Sequence, residues 1–145
     1  MAERRTAPNR DDFAVFRAVQ TRLQDHDSYG HVNNAVHYGL IDTAVNGWLI
    51  EQGLLDLNES AIIGLVVETG CQYFAELKFP DTIHVGLRVG HLGRSSVRYE
   101  VGLFRNDETT AAAAGFFVHV YVVRASGTPC PIPDDTRAAL EGLVV

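Results

Sequence analysis

The sequence predicts an α+β fold in which one long helix lies against one face of an antiparallel sheet. Three observations carry this. One segment, Val36 to Leu49, repeats apolar residues at helical spacing. From Ile63 onward the period switches to two, and turn signals cut the chain into strands. The 145 residues, 46% hydrophobic and 21% charged, have the size and balance of one domain with one core.

Taken in order, residues 1–11 hold basic residues but no apolar run, which predicts a flexible N-terminal arm and no secretory leader. A single domain is expected over 12–145. Asp12 to Gln24 reads as a strand, with Phe13, Val15, Val19, Thr21 and Leu23 on one face. Ala14, Phe16 and Ala18 blur the alternation and suggest a bulge. The polar stretch from Asp25 to His31 then turns the chain. Val36, Leu40, Ile41, Ala44, Val45, Trp48 and Leu49 form the helical stripe. Asn33 or Asn34 suits its N-cap and Gly53 its stop. Gly39 and Gly47, on the other face, predict close approach to a sheet.

Ile63, Leu65, Val67, Thr69, Cys71 and Tyr73 predict one face of a long strand, with Glu68, Gln72 and Glu76 on the other. Phe79-Pro80-Asp81, Gly93-Arg94 and Asn106-Asp107 are turns separating strands over 83–89, 97–103 and 109–124. The last of these is apolar on both faces, which predicts cover on both sides. One helix covers one face only, so at least a dimer is expected. Prolines at 129, 131 and 133 predict an extended tail, and Asp134 a cap for a short terminal helix holding Ala138, Leu140 and Leu143.

The formal charge of -6 argues against a general nucleic-acid binder. No apolar run reaches the roughly 18 residues of a membrane span. Cys71 and Cys130 lack metal-ligand or redox spacing and read as idle thiols of a cytoplasmic protein. Asp25, His26, Asp27, His31 and His37 form no recognised ligand set, so no metal is expected.

The densest polar cluster is Asp25-His26-Asp27-Ser28-Tyr29-Gly30-His31-Val32-Asn33-Asn34, between a strand and a helix start. Free N–H groups and a partial positive charge at a helix start suit a carbonyl oxygen that gains negative charge. A carboxylate just upstream could act as base or nucleophile on the same group. Ordinary turn and capping chemistry explains the same residue types.

This string, followed by Tyr38, resembles the signature of hot-dog-fold acyl-CoA thioesterases of the 4-hydroxybenzoyl-CoA thioesterase-like family. Val66-Val67-Glu68, the Tyr73 segment ending at Asp81, and Gly93-Arg94-Ser95-Ser96 extend the resemblance from about Phe13 to Pro133. It implies a long central helix wrapped by a curved antiparallel sheet of about five strands, in a homodimer or homotetramer. It implies an acyl-CoA or acyl-carrier-protein substrate, and no cofactor beyond the coenzyme A of that substrate. Asp27 then falls on the catalytic acid, and Asn34 on the backbone N–H that polarises the thioester carbonyl. Gly30, His31, Asn33 and Tyr38 match substrate-site positions. A non-catalytic binding module, or a dehydratase or hydratase, on the same fold stands as the alternative.

Residues 82–106 carry four arginines against Glu100, a local charge of +3 within an acidic chain. Arg94, Ser95 and Ser96 at a turn, with Arg98 next along the strand, suit the phosphates of coenzyme A. Tyr38, Trp48, Tyr73 and Phe74 are candidates to line an acyl pocket.

Overall fold

The computed structural model describes residues 6–145. Two short 3-10 turns, Arg10–Asp12 and Leu23–Asp25, flank β1 (Val15–Gln20). Then follow α1 (Val36–Glu51), β2 (Ile62–Tyr73), β3 (Thr82–Leu92), β4 (Ser96–Arg105), β5 (Ala113–Val123) and α2 (Asp134–Glu141). The five strands form one antiparallel sheet in the order β1-β3-β4-β5-β2. The α1 crossover carries the chain from one sheet edge to the other, so β1 and β2 are the two edge strands.

Period-two alternation builds the core. Ile83, Val85, Leu87 and Val89 of β3 and Val97, Tyr99, Val101 and Leu103 of β4 are all buried on the helix side. Ala113, Phe117 and Tyr121 of β5 join them against Leu40, Ile41, Ala44, Val45, Trp48 and Leu49 of α1. Each large aliphatic side chain so buried contributes about 1.5–3 kcal/mol. Close approach of helix and sheet is made at Gly115. A Cβ there would collide with the Gly70 carbonyl and come within 3.2 Å of Ile41 Cδ1. Of the helix glycines, Gly39 faces open space, while Gly47 packs against the Arg17 side chain of β1.

The helix ends as its sequence predicts. Gly53 takes φ +73°, and its N–H and that of Leu54 bond back to Ile50 and Leu49. Its start differs. Ala35 holds the cap position, while Asn33 Oδ1 accepts the Ala35 N–H at 2.9 Å and fixes the preceding turn instead. At α2, Pro133 holds the cap position and Asp134 is the first helical residue.

The first strand is shorter than expected, and Leu23 lies exposed in a 3-10 turn. The arm expected over 1–11 is described from residue 6 onward. Pro8 O accepts the Ala111 N–H, Arg10 N–H bonds Thr109 O, and the Arg10 guanidinium lies over Phe104. Backbone and cation–π contacts therefore dock the chain from Pro8 onward, and residues 1–5 lie outside the described residues.

The largest departure is in β2. Its pairing with β5 slips between Val66 and Glu68, leaving Val67 as a bulge. Thr69, Cys71 and Tyr73 pair with Phe117, Gly115 and Ala113 on the helix side, but Ile63 and Leu65 pair with Val122 and Val120 on the outer face. One extra residue thus inverts the face of the first half of the strand. Among the described residues no helix is long and apolar enough to cross a membrane.

Candidate active site

The loop between the second 3-10 turn and α1 closes on itself. Asp27 N–H donates to His31 O at 3.0 Å, and Gly30 N–H donates to Asp27 O at 3.3 Å. Gly30 makes the reversal at φ +82°, a region costly for other residues.

The two acids of the cluster separate by role. Asp25 is buried and receives the Arg22 backbone N–H at 2.8 Å and the Arg22 guanidinium at 2.9 Å. It braces the turn. Asp27 has one oxygen, Oδ1, anchored by the Tyr29 N–H at 2.8 Å. Its other oxygen lies 3.7 Å from His31 Nδ1, with 16% of the side chain exposed. His31 Nε2 in turn lies 3.8 Å from Glu76 Oε1, so Glu76, His31 and Asp27 form a chain of facing groups. Forty-five positions separate Glu76 from His31, so no local spacing in the sequence announces this pairing.

At the helix entrance, Asn33 O accepts the Val36 N–H at 2.9 Å. His37 Nδ1 lies 3.2 Å from the same oxygen. Asn34 O accepts the Tyr73 hydroxyl at 2.7 Å. Among the described residues, the Asn34 N–H has no intrachain acceptor. Burial pulls the His37 imidazole below its ordinary pKa and so keeps it neutral. Burial, with the Cys71 thiol and Tyr38 phenol beside it, pushes the Tyr73 hydroxyl up to about 12. Tyr38 itself is exposed on the first turn of α1. A half-anchored carboxylate, an imidazole and an unused amide thus gather at one helix N-terminus. That set can attack a carbonyl and stabilise the oxyanion that results.

His26 Nε2 accepts the Phe79 N–H at 2.8 Å. Trp48, expected at the acyl pocket, is part of the core. Tyr73 and Phe74 lie exposed at the β2 edge.

Arg94, Ser95, Ser96 and Arg98 are not beside Asp27 in this chain. Ser96 starts β4, whereas Tyr73, at the Asp27 end, aligns through Ala113 with Leu103. That is seven residues along β4, about 23 Å at a strand rise of about 3.3 Å. Arg94 is exposed, and its carbonyl accepts the Ile132 N–H. Ser95 O accepts the Tyr121 N–H at 2.8 Å. Ser96 and Arg98 alternate onto the outer face, where the Arg98 guanidinium lies 4.1 Å over the Phe116 ring.

Residues 21–140 match the model of the thioesterase-like superfamily. The PA5185 protein of Pseudomonas aeruginosa is 49% identical, with 95% of this chain and 96% of that one covered and a TM-score of 0.93. A thioesterase of Thermus thermophilus, solved with coenzyme A and Zn, is 32% identical over 90% and 95% of the two chains, with a TM-score of 0.74. A gentisyl-coenzyme A thioesterase is 25% identical over 87% and 99%, with a TM-score of 0.77. Among curated protein sequences there is no match.

Proposed function

Because this chain belongs to the thioesterase-like superfamily, we propose that it hydrolyses an acyl-CoA thioester to free coenzyme A and a carboxylic acid. The observation that carries this is Asp27, one oxygen held by the Tyr29 N–H and the other facing His31, just ahead of the unused Asn34 amide.

In this reading the thioester carbonyl oxygen lies on the Asn34 N–H. Asp27 either takes a proton from an attacking water or attacks the carbonyl carbon itself, forming an anhydride that water then opens. Both routes break the C–S bond, consume one water and release the thiol. His31 orients the carboxylate, Gly30 leaves room for the thioester, and Asn33 holds the loop against the helix. Tyr38 borders the acyl group.

The distance between Asp27 and the Arg94 turn supports a paired arrangement. Strand β2 is an edge with Leu65, Val66 and Val67 about half exposed. A second copy pairing antiparallel along β2 would bring its own β3–β4 turn to the Asp27 end of this chain. Arg94, Ser95, Ser96 and Arg98 would then meet the coenzyme A phosphates from across the interface.

The test is thiol release over short, long and aromatic acyl-CoAs. Turnover is expected for at least one class, and Asp27→Asn should lower kcat by two or more orders of magnitude with the fold retained. An active Asp27→Asn protein would remove Asp27 from its role. Single-turnover hydrolysis in heavy-oxygen water tests for the anhydride: water that opens it at the Asp27 carbonyl leaves label in the protein, which direct attack of water on the thioester cannot do.

A further inference from the structure

We infer that Tyr73 and His37 are positioning residues that aim the Asn34 amide at the thioester oxygen. This rests on the Asp27 and Asn34 reading above and adds two side chains to it.

The argument is geometric. The Asn34 N–H belongs to the same peptide plane as the Asn33 carbonyl. That carbonyl takes the Val36 N–H at 2.9 Å and faces His37 Nδ1 at 3.2 Å. The next plane along carries the Asn34 carbonyl, which takes the Tyr73 hydroxyl at 2.7 Å. Two consecutive peptide planes are thus gripped at their oxygens, and the Asn34 N–H, part of the first, has little freedom left. A carbonyl only accepts, so His37 must present a protonated Nδ1 toward Asn33. Hydrogen bonds into a carbonyl also polarise its own amide, which makes the Asn34 N–H a better donor.

The two side chains support each other. Their rings meet edge to face at 4.7 Å. His37 comes from the buried face of α1 and Tyr73 from the last residue of β2, so the helix entrance is tied to the edge strand. The hydroxyl of Tyr73 is committed to Asn34 and stays protonated across the working pH range. Neither side chain is placed on the reacting atoms. Their effect passes through the backbone.

The experiment measures kcat and KM by thiol release for the full chain and four variants: Asp27→Asn, Tyr73→Phe, His37→Asn and His37→Leu. Tyr73→Phe keeps the ring and loses only the hydroxyl. It is expected to lower kcat about tenfold, with KM within about twofold, which is the scale of lost support behind an oxyanion donor. Its kcat/KM pH profile should keep the inflections of the parent, because the lost group does not titrate in that range. His37→Leu should behave in the same way. His37→Asn, which keeps an N–H donor near the Nδ1 position, should restore most of the rate. Thermal unfolding and size exclusion confirm the fold of each variant. Should His37→Leu fail to fold, Tyr73→Phe, at an exposed position, carries the test.

Unchanged kcat in Tyr73→Phe, beside an inactive Asp27→Asn, overturns this inference alone. A rise in KM with normal kcat also overturns it, since that marks a substrate contact. No turnover by the parent on any acyl-CoA overturns the underlying reading, and this inference falls with it.

Discussion

His119 should make the stability of this protein fall in mild acid. The side chain is 1% exposed on β5, walled by Phe117 at 4.8 Å, Tyr99 at 5.8 Å and Tyr121 at 6.4 Å. Among the described residues, its Nδ1 has no hydrogen-bond partner. Gly64 of β2 lies over the ring, and a Cβ there would stand 2.7 Å from Nδ1. Burial without a partner disfavours the charged form, so the folded-state pKa drops from 6.5 to about 4. The unfolded chain takes up this proton near 6.5, and the folded chain resists until about 4. Between those values the unfolded state binds more protons, so stability declines as pH falls and levels off below about 4. At about 1.4 kcal/mol per unit, the gap corresponds to about 3 kcal/mol at full extent. His37, lowered for the same reason, adds in the same direction. Urea unfolding at about pH 7 and about pH 4.5 measures the decline. His119→Leu should lose about 2 kcal/mol less than the parent between those two conditions. An equal loss in both proteins would refute the reasoning, because the acid sensitivity would then lie elsewhere.

Three further outcomes are expected. Gly115→Ala should cost about 2 kcal/mol, since its Cβ would strike the Gly70 backbone rather than a side chain able to move; an unchanged urea midpoint would contradict the tight β2–β5 contact there. Val67→Lys places a charge on the exposed β2 edge and should shift the protein toward a single chain by light scattering. An unaltered mass would remove β2 from the proposed pairing. Arg94→Ala should raise KM for an acyl-CoA about tenfold while leaving KM for the matching acyl-pantetheine unchanged. Equal effects on both substrates would place Arg94 away from the nucleotide phosphates.

The helix and the sheet were legible because each rests on local periodicity. The stripe from Leu40 to Leu49 is buried as its spacing predicts, and so are the alternating residues of β3 and β4. The Val67 bulge was not legible, because a strictly alternating sequence reads as an unbroken strand. Only the β5 register shows where one residue is left unpaired. Of the two helix glycines expected to approach the sheet, Gly47 does so, against the Arg17 side chain of β1, and Gly39 does not. Sequence marks a glycine but not its opposite neighbour, and Gly115 faces α1 where Gly39 faces space. At the site, the Asp27 to Asn34 string was visible as a contiguous cluster. Glu76 and Tyr73 reach it only through the fold, across 45 and 39 positions respectively from His31 and Asn34.

The two rims of the sheet are unequal, and this bears on how large an assembly can grow. β2 offers twelve residues and β1 only six, with Arg17 and Gln20 among them. If β2 of one molecule met β1 of the next, every union would expose a fresh pair of rims and the structure could lengthen without limit. Joining β2 to β2 consumes both long rims at once and leaves only short, partly charged ones outward. The bulge narrows the choice again, since a strand that skips a residue fits its own twofold image in few registers. In the proposed pairing, inequality between two strands would act as a stop signal, favouring a closed particle over a fibre.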